Sequence, residues 1–502
     1  MGIGELVYSR ETLQAVADLL QGELRRESLA VSRVYRFVSD TAVFVRGKMS
    51  EQEQVSTTTC LEQISEGVYS TQRVDDVLPD CFKAVRVARD LEEHRFRFTH
   101  KGVPLPTQTQ IHCEDLPSGI THFDAEFLEF TQEHPGARVI RSLDVDQRVV
   151  VNSDGGIAVQ SVPFMRIQFS YGYNPLSISR NIDAVVTSAE DIKRLTGFIA
   201  FLADPTPDAR IRRAGSFSEA FHELVRLAPL RCGSLEEAGL APRLLTDVVM
   251  LNGVPVHEIF GHHFEEPVRM LNPGDVAAFR PGQELSNANI VMKDDPHQTV
   301  AGFRVSGFSH FDAYGRERRG RMHIQNGRVC EFLGGEYVDR QKIKQYLGRR
   351  EWSEPGCSSQ FLDGHFPQVR MSCTVLDGEI SRIDLRGKVL MVPQEGHTNP
   401  SDKTYAVVAR ECYVLSDDGE PQRIVPVKVT GGIHQALENM VVLDHDTFNA
   451  GMCGKPEPIY HPSSRGESSV SVSQVAKAQL WQGQQAYAIP MAEHHLAELI
   501  QK

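Results

Sequence analysis

Residues 247–265 read DVVMLNGVPVHEIFGHHFE, an apolar run followed by a turn and a histidine-rich segment. The longer run at 244–251, LLTDVVML, has the length and composition of a buried strand. An Asn-Gly pair then supplies turn residues, and the proline after it suits the first turn of a helix. The stretch therefore predicts a strand, a turn and a helix, with His257 and Glu258 near the helix N-terminus at the rim of the fold.

The spacing of the histidines in this segment is unusual. His257 precedes Glu258 directly, but His262 follows five positions after the first histidine instead of the four of the H-E-x-x-H zinc motif. In a regular helix, residues five apart point about 140° away from each other, so these two rings could not share one ion. One wide π-type turn would bring them together, and Gly261 is the residue expected to tolerate that distortion.

Two interpretations of the segment stay open on spacing alone. In the first, His257 and His262 bind zinc, and Glu258 takes a proton from a water molecule activated by the ion. A third protein ligand is then needed, and Glu265 is either that ligand or a group that orients His262. In the second, the segment is a histidine-rich helix end without a metal. His263 is assigned to packing or to support of the ligands.

Composition limits the compartments and partners of the protein. The chain has 502 residues and a formal net charge of -13, so an acidic surface argues against broad binding to nucleic acid. Nine cysteines, an odd count without a C-x-x-C pair, indicate a reducing compartment. The N-terminus lacks the pattern of a secretory signal, and no apolar stretch is long enough to span a membrane. We expect a cytoplasmic protein without a membrane partner.

The organisation of the chain indicates an α+β protein. We predict an α/β N-terminal domain over 1–235 and a β-rich, barrel-like C-terminal domain over 236–502, where short strands alternate with turn pairs. The clearest single elements are amphipathic or capped helices at 11–24, 188–203 and 216–228, a β-hairpin at 147–171 with an SDGG turn, and a short terminal helix at 488–502.

Further motifs lie outside the histidine segment. Residues 451–455 read GMCGK, residues 366–378 read FPQVRMSCTVLDG, and residues 404–432 read TYAVVARECYVLSDDGEPQRIVPVKVTGG. With HEIFGHHFE, these stretches resemble the TldD/PmbA family, once called modulators of DNA gyrase and now regarded as zinc metallopeptidases. The similarity covers roughly residues 245–455. In TldD-type members a cysteine in a G-x-C-G-K setting is the third zinc ligand, and the resemblance gives that role to Cys453.

The resemblance implies a zinc peptidase with a two-domain TldD/PmbA-like fold. Zinc would be held by His257, His262 and Cys453, with Glu258 as the general base. The substrates would be peptides or unfolded proteins, and the assembly would be a homodimer or a heterodimer with a PmbA-type paralogue, without direct contact to nucleic acid.

Other interpretations remain at this stage. The chain could be a non-catalytic PmbA-type binding subunit, although the intact zinc motif argues against it, and a DNA-associated regulator conflicts with the acidic charge. The stretch PQEGHTNP at 393–400, with Glu395 and His397, is predicted to be a polar loop. The other eight cysteines are predicted to be small buried side chains.

Overall fold

The structure is a computed structural model. It describes residues 3–27, 31–65, 68–75, 94–97, 107–172, 176–206, 209–240, 245–265, 278–333, 358–359, 368–399, 402–456 and 467–489. The terminal helix predicted at 488–502 lies outside these residues from position 490 onward. Ala488, where that helix was expected to begin, is instead the last residue of a strand.

The helices are short, and they confirm most of the helix predictions. They are α1 (Ile3–Leu6), α2 (Arg10–Glu27), α3 (Asp124–Glu133), α4 (Ala189–Arg194), α5 (Phe217–Leu227), α6 (His262–Glu265) and α7 (Ile433–Glu438). Two 3₁₀ segments span Leu195–Phe201 and Ile211–Arg213, and a π-helical segment spans Val256–Gly261. Within the described part of the chain, every helix is too short or too polar to cross a membrane.

The helix predicted over 188–203 is only partly α-helical. Its start is confirmed, because the Ser188 hydroxyl accepts a hydrogen bond from the backbone N–H of Asp191 and caps α4. After Arg194 the chain tightens into the 3₁₀ segment. Gly197, in the 3₁₀ segment, packs close to Ala301. A Cβ on Gly197 would lie 3.2 Å from Cβ of Ala301.

The first sheet has eight strands. They are β1 (Val31–Val45), β2 (Lys48–Ser65), β3 (Val68–Asp75), β4 (His94–Arg97), β5 (Thr109–Cys113), β6 (Ala137–Asn152), β7 (Ile157–Tyr171) and β8 (Ile178–Val185), in the order β4-β3-β2-β1-β6-β7-β5 with β8 also paired to β7. Strands β6 and β7 form the predicted hairpin, with Gly155 at φ 92° in its turn. That left-handed conformation favours glycine, which explains the SDGG signal.

The second sheet is larger and branched. Its fifteen strands are β9 (Leu230–Cys232), β10 (Leu245–Met250), β11 (Ile290–Asp294), β14 (Arg321–Gln325), β15 (Arg328–Val329), β18 (Cys373–Gly378), β19 (Ile380–Ser381), β20 (Val389–Val392), β21 (Glu395–Asn399), β22 (Thr404–Ala409), β23 (Glu411–Leu415), β24 (Pro421–Ile424), β25 (Val427–Gly432), β26 (Met440–Pro456) and β27 (Glu467–Ala488). The short pairs β12 (Thr299–Val300) with β13 (Phe303–Arg304), and β16 (Ser358–Ser359) with β17 (Gln368–Val369), stand apart.

The long strand β27 organises this second sheet. It pairs in parallel with β18 and antiparallel with β10, β25 and β26. The strand predicted at 244–251 is confirmed by β10, which lies between β27 and β20 and is buried at Val248, Val249 and Met250. The α+β class and the β-rich C-terminal region are therefore confirmed.

One hydrophobic core joins the two sheets. It contains side chains of the first sheet, such as Phe169, of the helix α5, such as Phe221, and of the second sheet, such as Tyr413. The rings of Phe169 and Phe221 stack with centroids 4.4 Å apart. Across the same region Arg180 forms a buried, two-pronged ion pair with Glu411 at 2.7 Å.

The position of the domain boundary remains a prediction. Strand β9 lies before residue 235, on the N-terminal side of the predicted division, yet it pairs with β24 in the second sheet. The continuous core also crosses that position. Among the described strands, those of the first sheet lie before residue 235 and those of the second lie after it, except β9. The division into 1–235 and 236–502 itself stays a prediction.

Candidate metal centre

The turn that follows β10 contains the predicted irregularity. The backbone N–H of His262 donates to the carbonyl of His257, five residues earlier, which is the hydrogen bond of a π-turn. The predicted π-type turn is thus confirmed. Gly261 lies in this turn with a φ outside the left-handed region, so its tolerance of the distortion stays a prediction. A Cβ there would lie 2.5 Å from Sδ of Met371, so close packing requires glycine at this position.

The π-turn and strand β26 bring four side chains together. His257, Glu258 and His262 come from the turn, and Cys453 comes from β26 nearly two hundred residues later. One ligand atom from each of the four lies within 4.8 Å of every other. Sγ of Cys453 is 3.5 Å from Nε2 of His262 and 4.0 Å from Oε1 of Glu258. All four predicted site residues therefore meet at one place.

The hydrogen bonds around His257 leave one nitrogen for a ligand. Its Nδ1 is 2.7 Å from the hydroxyl of Thr374, and that hydroxyl donates to Sδ of Met371. The hydroxyl oxygen therefore accepts the Nδ1 proton of His257. Nε2 is then the nitrogen left for the cluster; it is buried, and the imidazole interacts with the Cys453 thiol. A metal ion would take this nitrogen and the neighbouring thiolate as ligands in place of the proton between them.

His262 is oriented in the same way by a carboxylate. Its Nδ1 donates to Oε2 of Glu265 at 2.7 Å, which leaves Nε2 facing Cys453 and, at 3.2 Å, Oε2 of Glu258. Glu265 is completely buried and also accepts from the backbone N–H of Met371. Of the two roles left open for Glu265, the contacts therefore support orientation of His262 over direct ligation.

Arg370 connects the two halves of the cluster. It is completely buried, its Nη2 donates to the carbonyl of Cys453 at 2.8 Å, and its Nε lies 3.8 Å from Oε1 of Glu265. One guanidinium thus holds the strand that carries the cysteine and the carboxylate that orients the histidine. The sequence signal was the RM pair in FPQVRM, but neither Arg370 nor Thr374 had been given a role from the sequence.

The cluster has strong electrostatic coupling. Burial alone would raise the pKa of the Cys453 thiol, but His257, His262 and the charge of Arg370 lower it to about 5. Burial also opposes ionisation of Glu258, yet the hydrogen bond and charge of His262 lower its pKa below the ordinary value. The pKa of His262 is raised well above its usual value, because Glu265, Cys453 and Glu258 outweigh the effect of burial. A divalent cation could replace the proton that these anions stabilise on His262.

The donor set fits zinc. Two imidazole nitrogens and one thiolate are ligands that zinc accepts, and three protein ligands are typical of a catalytic site with one position left for water. The lowered pKa of Cys453 provides the thiolate that such a site requires. The carboxylate of Glu258 lies beside these donors and is partly exposed, so it can contact a bound molecule.

A strand runs beside the cluster where a loop was predicted. Most of the stretch, Glu395–Asn399, forms β21 instead, antiparallel to β22, so the loop prediction is wrong for these residues. The polar side chains conceal a strand because it is held by its backbone hydrogen bonds to β22, not by apolar burial. A Cβ on Gly396 would lie 2.6 Å from Cβ of Glu258, so this strand is in direct contact with the π-turn.

Most of the remaining side chains considered in the sequence are packing residues. His263 is buried against Phe279, and burial lowers its pKa to about 3, so it is a neutral ring in the core. The described cysteines are thiols and not disulfides. Cys232, Cys373 and Cys412 are buried as predicted, but Cys113 and Cys330 are only partly buried, so the prediction is wrong for those two. Burial raises the pKa of Cys412 to about 12, which marks it as an inert packing residue.

Comparisons with known proteins agree with this geometry. A family model described as the PmbA/TldA metallopeptidase C-terminal domain matches residues 249–475, which include every member of the cluster. No curated protein matches the chain.

Several solved structures share the fold over nearly the whole chain. The structure of TldE from Thermococcus kodakarensis has a TM-score of 0.61 at 13% identity, covering 94% of this chain and 100% of its own. A candidate modulator of DNA gyrase from Thermotoga maritima has a TM-score of 0.57 at 13% identity, covering 95% of this chain and 100% of its own. A protein with the same description from Bacteroides thetaiotaomicron has a TM-score of 0.55 at 11% identity, covering 95% and 99%. Identities this low establish a common fold and nothing finer.

Proposed function

We propose that this chain, which matches the PmbA/TldA metallopeptidase C-terminal model over residues 249–475 and shares the fold of TldE, is a zinc-dependent metallopeptidase that cleaves unfolded or flexible peptides. The observation that carries the proposal is the meeting of His257, His262 and Cys453 around Glu258 in a π-turn. Their donor atoms suit zinc, and their hydrogen bonds leave a nitrogen of each histidine for it. A zinc ion in this donor set would lower the pKa of a water molecule and polarise the scissile carbonyl.

The proposed proton transfers belong to Glu258. Its pKa is lowered, so at neutral pH the carboxylate is ionised and can accept a proton from the attacking water. The same oxygen then returns the proton to the amine that leaves. Glu265 takes no part in this transfer, since its oxygens are engaged by His262 and the backbone of Met371. Its role is to hold the ring of His262 in one orientation.

The strand β21 supports extended peptides as the substrate class. Among the described strands it pairs only with β22, and it contacts the π-turn through Gly396. A peptide that adds to a strand in this position would be recognised through its backbone, which favours unfolded or flexible chains over a fixed sequence. We also propose that the active form is a homodimer or a heterodimer with a PmbA-type paralogue, in the cytoplasm and without direct nucleic-acid binding.

A peptide-library digest tests the proposal when zinc content is measured on the same preparations. Wild-type protein should cleave library peptides. Glu258→Gln should keep its zinc and lose activity by roughly 10²- to 10⁴-fold, the usual contribution of a general base. The amide has nearly the shape of the carboxylate, so the folded state should be unaffected.

Two results would contradict this function. A Glu258→Gln protein with zinc and undiminished cleavage would exclude Glu258 as the base. Wild-type protein that binds no zinc and cleaves no peptide, alone or with a paralogue, would favour the non-catalytic PmbA-type subunit instead.

A further inference from the structure

A second group of metal-binding side chains lies far from the π-turn. Glu133 is the last residue of α3, His134 follows it, and His222 lies on α5, which packs against α3. One ligand atom from each lies within 4.8 Å of the other two. Nε2 of His222 is 3.1 Å from Oε2 of Glu133, and the two imidazole rings are 4.7 Å apart at 75°.

The hydrogen bonds of His222 fix which nitrogen faces the group. Nδ1 lies 2.7 Å from the backbone carbonyl of Ser218, and a carbonyl can only accept, so Nδ1 carries a proton. In the neutral ring Nε2 is then an acceptor, and it faces the carboxylate of Glu133, which also only accepts. Two acceptors at 3.1 Å require either a second proton on the ring or a cation between them.

The other histidine presents a second available nitrogen. Nε2 of His134 is buried and has no hydrogen-bond partner among the described residues. Its ring packs against Phe130, with centroids 4.8 Å apart, which restricts its rotation.

We propose that Glu133, His134 and His222 form a second site for a divalent transition metal, with zinc as the expected ion. Two imidazoles and a carboxylate are a ligand set that zinc accepts, and the partly exposed positions of Glu133 and His222 leave room for water. The backbone carbonyl of Ser218 orients His222 as a partner to the far nitrogen of a metal-ligating ring.

The position of the site gives it a structural role. Helix α3 packs on β1 and β6 of the first sheet, and α5 contacts β24 of the second. Phe127 and Phe130 of α3 already pack against Phe221 of α5 in the shared core. An ion held by residues of both helices would close the solvent side of this contact, and so link the two halves of the fold without contributing to the peptidase site.

Metal titration of the full-length, metal-free protein tests the proposal. We expect wild type to bind two zinc ions per chain and Glu133→Gln and His222→Ala to lose one of them. Cobalt(II) distinguishes the sites, because a thiolate-to-cobalt absorption band belongs only to the site with Cys453. That band should persist in both variants. His122→Ala is the control, since it removes an exposed histidine just before α3.

The results that would overturn the proposal are specific. If Glu133→Gln and His222→Ala bind as much zinc as wild type, Glu133 and His222 form only an ion pair. Glu133 is half-exposed and its replacement is isosteric, so this variant remains informative even if His222→Ala does not fold. Zinc should also raise the melting temperature of Cys453→Ala through the second site. A melting temperature of Cys453→Ala that does not respond to zinc would count against the site.

Discussion

The two clusters use similar ligands in different surroundings. The cluster at the π-turn buries His257 and Cys453 almost completely, whereas Glu133 and His222 are partly exposed on the surface of two helices. The buried cluster includes a thiol whose pKa is lowered to about 5, while the surface cluster has only imidazole and carboxylate groups.

The difference shows what distinguishes a candidate catalytic site from a candidate structural one. In the buried cluster each histidine is oriented by another side chain, Thr374 or Glu265, and a further carboxylate, Glu258, lies beside the ligands. In the surface cluster the carboxylate is itself a ligand candidate, and no additional acid or base accompanies it among the described residues. The first arrangement can bind an ion and move protons, and the second can only bind.

The largest effect is expected from removing the cysteine, a ligand that only the buried cluster has. Cys453→Ala should remove zinc from the buried site and abolish peptidase activity, because two histidines alone do not hold a catalytic zinc ion. The surface site should still bind one ion, which metal analysis would show. Cys412→Ala is the matched control, since it also removes a buried thiol but outside the cluster. Unchanged zinc content and activity in Cys453→Ala would exclude the cysteine as a ligand.

A smaller effect should follow from the orienting carboxylate. Glu265→Gln keeps the size of the side chain but removes the charge that fixes the Nδ1 proton of His262. We expect zinc affinity at the buried site to fall roughly 10- to 100-fold, with the surface site unaffected. Competition titration with a chelator measures both affinities in one experiment. Equal affinity in Glu265→Gln and wild type would refute the role given to Glu265.

The contact between β21 and the π-turn can be tested apart from metal binding. In Gly396→Ala, the new Cβ would overlap Cβ of Glu258, so the strand or the base must shift. We expect kcat/KM for peptides to fall about tenfold or more while zinc content stays normal. Gly22→Ala on α2 is the control, because a Cβ there meets nothing within 4 Å. Normal activity in Gly396→Ala would mean that the strand is not close to the reacting groups.

The smallest signal is the ionisation of Cys453 in metal-free protein. Because its pKa is lowered to about 5, the thiolate should be present above that pH and lost below it, whereas an ordinary thiol ionises near about 8.5. The thiolate ultraviolet absorbance of wild type minus that of Cys453→Ala should therefore change near pH 5. Cys412 should not contribute in this range, since its pKa is raised to about 12. A midpoint near 8.5 in the difference curve would contradict the electrostatics of the cluster.

The lowered pKa of Cys453 also determines how the stability of the metal-free protein depends on pH. A thiol pKa that is lower in the folded state stabilises metal-free protein most at a pH above the unfolded value of about 8.5. That contribution disappears as the pH falls through about 5. His262 acts in the opposite direction, since its raised pKa stabilises the folded state below about 6.5 and the contribution is lost at a pH above the folded value.

Local signals made part of the structure predictable from sequence. The SDGG turn, the Ser188 cap and the five-residue spacing of the histidines each reflect a constraint within a few residues, and the structure contains all three features. Residues Glu395–Asn399 were not predictable as a strand, because their pairing partner β22 supplies the hydrogen bonds and the sequence shows no apolar alternation. The 3₁₀ segment after Arg194 was not predicted either, and Gly197 within it packs close to the distant residue Ala301.

Neither cluster could be predicted from local sequence alone, and the reason is different for each. Cys453 could be connected to the π-turn only through the family resemblance, since no local pattern links residues nearly two hundred positions apart. Glu133 and His222 are 89 positions apart and lie on two different helices. Their proximity depends on how α3 packs on α5, which the sequence pattern of neither helix specifies.

X-ray absorption at the zinc edge tests the central claim most directly. The sample should be zinc-loaded His222→Ala protein, in which only the buried site is expected to be filled. We predict one sulfur neighbour at about 2.3 Å and nitrogen neighbours at about 2.0–2.1 Å, with the sulfur lost when Cys453→Ala is added. A zinc environment of nitrogen and oxygen alone, or a sulfur signal that survives Cys453→Ala, would contradict the assignment of His257, His262 and Cys453 as one metal site.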